Sequence, residues 1–170
     1  MFLRCLMIVA MMAFCVPAAH AQEDMQEDTT ATQEQSADYP PLAWDQSLVD
    51  QVAQAARTEY FPKAQMPDGS PVSPETPEEL QEPIIPADAQ QAVADHAVFW
   101  VTAYWCGLNV KNANFEQFQN PAQWTPKQLT YISTLHGVVS SLAMQQLTDR
   151  GSCPDDFKGY LTTNYPETAN

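Results

Sequence analysis

Ala97-Val98-Phe99-Trp100-Val101-Thr102-Ala103-Tyr104-Trp105-Cys106-Gly107-Leu108 is the most apolar run of the chain beyond its first twenty residues. It is apolar on every side rather than along one stripe, as expected of a helix covered around most of its circumference. A membrane span needs roughly 20 apolar residues, whereas runs of about 10–14 belong to cores. Asp95 and His96 bound this run on one side, Asn109 and Lys111 on the other, and Thr102 and Gly107 lie inside it. It reads as the central helix, over 88–110, of a small all-α domain.

The neighbouring segments supply cover for that helix. Thr125-Pro126-Lys127-Gln128 has a cap, a proline at the first helical position and a glutamine three residues after the cap, which opens a helix. Leu129, Ile132, Leu135, Val138, Val139 and Leu142 give it a wide apolar face, and Gly151 stops it after about Thr148. Cys153-Pro154-Asp155-Asp156 starts a further helix whose inner side is Phe157, Tyr160 and Leu161, and 166–170 should fray. The domain so defined, 88–165, has a modest core, and domains of that size often need a staple.

Met1–Ala21 has one early positive charge, a short apolar block and Ala19-His20-Ala21 before an acidic start, the pattern of a secretory signal peptide. Phe14 before Cys15 does not suit a lipidation site. Cleavage after Ala21 would leave two cysteines, and in an oxidising compartment Cys106 and Cys153 should pair.

Between leader and domain the composition shifts twice. Residues 22–43 are polar and acidic and are expected to be disordered. Residues 44–61 place Leu48, Val49, Val52, Ala55, Ala56 and Tyr60 at helical spacing, an amphipathic helix capped by Asp45 or Ser47 that should dock on its own chain. Residues 62–87 hold seven prolines and are expected to form an extended linker. From Gln22 to Asp95 there are 16 acids against Arg57 and Lys63, whereas 96–170 is nearly neutral. Such an acidic arm is repelled by nucleic acid phosphates and anionic lipid, so neither is expected as a partner, nor is stable membrane insertion after leader cleavage.

Chemistry-bearing residues are few. His136 shares a face with Leu129, Ile132 and Val139, and His96 lies one turn before the aromatic cluster; with Trp100 and Tyr104 they are candidates for buried polar or ligand-lining positions. Asp95, His96 and His136 would form an acid–base group if their helices were antiparallel neighbours, although no strained serine elbow accompanies them. Neither histidine has a partner at metal-ligand spacing, and the nucleotide loops are missing, so no cofactor or metal is expected. Gly137 should admit a neighbouring helix near Trp100 or Tyr104. Phe115, Phe118 and Trp124 are candidates for an exposed partner-binding patch.

These features suggest a periplasmic or secreted, non-enzymatic interaction module: an accessory subunit, an inhibitor or immunity protein, or a chaperone, including one activated by acid. Its expected partner is another envelope protein of basic character. A carrier of small apolar ligands and an enzyme built on Asp95, His96 and His136 are the alternatives. The oligomeric state has no signature in the sequence.

Overall fold

Asp45 begins the first helix by accepting the Leu48 amide at 3.0 Å, while the Ser47 hydroxyl donates to the same carboxylate at 2.7 Å. The two rival caps read from sequence thus act together. The computed structural model describes residues 39–110 and 113–165, with backbone alone at 113 and 114; all of them fall in one compact unit. The segment expected to be a leader, 1–21, and most of the acidic arm lie outside the described residues. Helix α1, Gln46–Ala55, runs on through a π turn, Ala56–Tyr60, and a 3₁₀ turn, Phe61–Lys63. It docks on its own chain by burying Val49, Val52, Ala53 and Ala56. Where α1 passes into the π turn, the Tyr131 hydroxyl donates to the Ala53 carbonyl at 3.0 Å, and Phe61 sets its ring edge-on to Tyr131 at 5.5 Å.

The proline-rich stretch contains no long helix, as its spacing requires, yet it is not a free linker. Val72 and Ile85 are buried in the main core, and Gln65 and Pro71 form a bridge around a turn with Gly69 at φ +82°. Arg57 straps the stretch down. Its guanidinium grips Glu75 through two bonds of 2.9 and 2.6 Å and also donates to the Glu79 and Glu82 carbonyls. Lys127 adds an ion pair to Glu79 at 2.6 Å. The compact body therefore includes 44–87 and does not begin at 88.

Helix α2, Ala87–Trp105, is shorter than expected because Gly107, at φ +68°, ends it: the Leu108 amide bonds the Ala103 carbonyl and the Gly107 amide that of Tyr104. Nor is α2 covered on all sides. Val93, Ala94, Ala97, Val98, Val101 and Thr102 are buried, Trp100 is half-buried and Tyr104 is 63% exposed. The short turns Ala113–Glu116 (α3) and Gln117–Gln119 precede α4, Pro126–Arg150. Thr125 and Gln128 form the expected capping box, and Gly151 at φ +91° closes the helix. α4 buries Tyr131, Ile132, Leu135, Val139, Ala143 and Leu147.

Contacts between α2 and α4 advance in step. Gln128 donates to the Ile84 carbonyl, His136 meets His96, and the Trp105 indole donates to the Gly151 carbonyl. The two helices are therefore parallel, not antiparallel. A parallel pair needs a connection that returns the length of α2, and 106–125 is that crossover. Where the crossover begins, the Cys106–Cys153 disulfide, with Cα atoms 5.0 Å apart, joins the end of α2 to the start of α5, Asp155–Asn164. Phe157 and Leu161 pack there with Cys106 in a second, smaller core. Tyr39 belongs to it: its ring lies 4.7 Å from Phe157 and its hydroxyl donates to Asp156 at 2.7 Å. Tyr39, inside the 22–43 segment expected to be disordered, is thus packed and hydrogen-bonded. Among the described residues no helix is long and apolar enough to cross a membrane.

Candidate functional site

Two helices and the crossover meet at one polar contact. His96 from α2 and His136 from α4 approach with Nδ1 and Nε2 3.2 Å apart. One of these nitrogens must carry the proton and donate, and the other must accept. Rings close over the pair: Phe115 lies 4.3 Å from His136 and 5.7 Å from His96, Phe118 stands edge-on to His96 at 5.8 Å, and Trp100 is 6.2 Å from His136. Tyr104 stacks on the outer side of Trp100 at 5.9 Å.

Burial in this ring cluster disfavours the charged imidazoles. It lowers His96, and burial together with the charge of His96 pushes His136 down to about 4. Both are therefore neutral near pH 7. His96 Nε2 is buried without a hydrogen-bond partner. A buried polar atom in that position costs about 1–3 kcal/mol.

Asp95 does not join them. It accepts from Gln91 at 2.7 Å and from the Trp44 backbone amide, and burial raises its carboxyl above the ordinary range. The structure therefore brings His96 and His136 together and leaves the third member of the sequence-derived acid–base group on another side of α2. The condition for assembling that group, antiparallel helices, is not met. Among the described residues no group of three His, Cys, Asp or Glu side chains is placed to hold a metal ion. The chemistry available to the pair is proton uptake and hydrogen bonding.

Phe115, Phe118 and Trp124 are each half-buried rather than displayed as an open patch. The first two cover the histidines, and Trp124 packs on the main core with its indole N–H buried and unpartnered. Trp100 and Tyr104 line the outer part of the ring cluster. Gly137 differs from expectation as well. It is exposed, and a Cβ built there meets nothing within 4 Å, so α2 does not pack against it.

Gly137 instead floors an open groove of about 590 Å³ between α4 and the π turn. Ser133 and Ser141 lie one helical turn to either side, Glu59 and Tyr60 stand on one lip and Leu142 on the other. Tyr60 is 50% and Leu142 39% exposed. Leu142 misled the sequence reading because its helical position belongs to the edge of the apolar face. Tyr60 leaves the α1 stripe because the π turn rotates every residue after Ala55 out of the 3.6-residue register. Comparison with protein-family models, with curated proteins and with solved structures finds no match.

Proposed function

We propose that this chain is an exported, non-enzymatic protein-interaction module whose binding face is the groove at Gly137, and that its occupant is a helix of a basic envelope protein. The supporting observation is Gly137 itself. A glycine inside a helix costs about 1 kcal/mol relative to alanine, and here nothing among the described residues uses the space it leaves. Exposed Tyr60 and Leu142 offer the apolar lips that a captured helix would cover. Glu59 on the lip and a formal net charge of −14 favour a cationic occupant. The disulfide and the leader-like start support export.

The test is a photo-crosslinking residue placed at Leu142 in cells, with Tyr160, exposed on α5, as the control position. An adduct specific to position 142, weakened by salt and lost in Gly137→Leu, is the expected result. Gly137→Leu should leave folding intact, since the added side chain points into open space. Equal labelling from both positions, or an adduct that survives Gly137→Leu, would overturn the reading.

A further inference from the structure

At the histidines the crossover is attached by ring contacts, and one turn away on α4 the Gln119 amide donates to the Ser133 hydroxyl at 3.3 Å, a bond between groups that carry no charge. From α3 and the following turn come Phe115 and Phe118, with Glu116 between them turned to solvent. From α2 come Trp100 and the neighbouring Asp95, which is engaged with Gln91 and the Trp44 amide. On α4 the adjacent turns carry Ser133, Gly137 and Ser140, none of them charged at any pH of interest. Among the described residues no carboxylate therefore stands ready to neutralise either imidazolium. A second proton also removes the pair's acceptor: two N–H donors would then face each other across 3.2 Å.

We propose that the His96–His136 contact is an acid-released latch, which holds 115–119 over α2 and α4 while both rings are neutral and lets that segment lift when both are charged. Lifting bares the rings of Phe115, Phe118 and Trp100, an apolar surface exposed only in acid. The surface adjoins the Gly137 groove at Ser133, and the latch operates without any partner.

The sign follows from the histidines. Their folded-state affinity for protons is depressed, so the closed state loses stability as pH falls below the ordinary histidine value of 6.5 and goes on losing it to about 4, where His136 itself titrates. The span from 6.5 to about 4 sets a ceiling of about 300-fold on closure, which part exposure of the pair reduces to roughly tenfold. Asp95 works in the opposite direction: its raised carboxyl takes up a proton more readily folded than unfolded, so acid relieves its burial.

The experiment uses the oxidised chain from Gln22 onward, alone in solution. Imidazole nitrogen resonances are followed between about pH 7 and pH 3.5, with amide exchange of 115–119 corrected for intrinsic rates. Expected are two histidines titrating well below 6.5 and roughly tenfold loss of protection at 115–119, while the amides of α1 keep theirs. The double variant His96→Gln, His136→Gln should show no such pH dependence at 115–119. Histidines titrating at the ordinary value would overturn the proposal, a readout that survives even if the double variant does not fold. So would protection at 115–119 that is flat across the range, or that is lost together with all of α1.

Discussion

Reducing the Cys106–Cys153 bridge should lower the stability of the chain by about 4 kcal/mol. The bridge spans 47 residues of sequence, and the chain-entropy account gives about 13.6 cal/mol/K for a loop of that length, or about 4 kcal/mol at 25 °C. Typical unfolding entropies put that loss at roughly 15 °C in melting temperature for a body of this size. The structure adds a spatial prediction. Cys106 is buried against Phe157 and Leu161 in the small core that also holds Tyr39, so the loss should appear first in α5 and at Tyr39, and later in α1. Thermal unfolding of oxidised and reduced protein, followed by far-ultraviolet circular dichroism, measures the first quantity, and hydrogen exchange resolves the second. The paired variant Cys106→Ala, Cys153→Ala should match the reduced protein, while Cys106→Ser should be worse because it buries a hydroxyl. A melting temperature that changes by less than about 3 °C on reduction would refute the argument, since the parallel α2–α4 pair would then be holding its disulfide end without help.

Asp95→Asn should leave the melting temperature at about pH 7 unchanged or raise it, because burial penalises the carboxylate and an amide oxygen can still accept from Gln91 and Trp44; a loss above about 1 kcal/mol in urea titrations would contradict this. Arg57→Lys should lose about 2 kcal/mol although the charge is kept, since an ammonium cannot grip Glu75 by two bonds and also reach two carbonyls. Limited proteolysis should show new cleavage within 66–82, and an intact stretch would argue against the strap. Tyr131→Phe should cost about 1 kcal/mol by removing one of the hydrogen bonds to the Ala53 carbonyl, which keeps that of the Ala56 amide, measured by chemical denaturation. An unaltered midpoint would show that the Ala56 amide alone satisfies that carbonyl.

The sequence spells out the helix ends that rest on one local signal, and it hides what depends on distance along the chain. Thr125-Pro126-Lys127-Gln128, Gly151 and the Cys106–Cys153 pairing were legible because each is a short-range or counting argument. Gly107 was equally legible in principle. Its place inside an apolar run concealed a C-terminal stop that the left-handed backbone makes plain. Arg57 reads from sequence as one of two positive charges in an acidic arm, but its effect comes from four hydrogen bonds to Glu75, Glu79 and Glu82 across 18–25 residues. Composition carries no trace of such a clasp. The histidine contact was accessible only as a conditional, and the condition chosen was the wrong helix direction.

That direction explains the site. Antiparallel helices joined by a short turn would have left His96 and His136 facing solvent or core with nothing laid across them. A parallel pair compels the chain to travel back along α2, and the returning segment passes over the midpoint of both helices, where the two imidazoles meet. The topology thus places aromatic rings on a polar contact that the core does not need: Val93, Val98, Leu135 and Val139 already fill the interface around it. Two features of the chain run against its own stability, the unpartnered His96 Nε2 and the open Gly137, and neither has a compensating contact among the described residues. Departures of this kind from local consistency are where functional sites are expected. Replacing the histidines with a neutral apolar pair, His96→Leu and His136→Met, should therefore stabilise the chain at about pH 5 more than at about pH 7, because only the native pair loses stability in acid. Equal gains at both pH values would show that the contact is ordinary core packing.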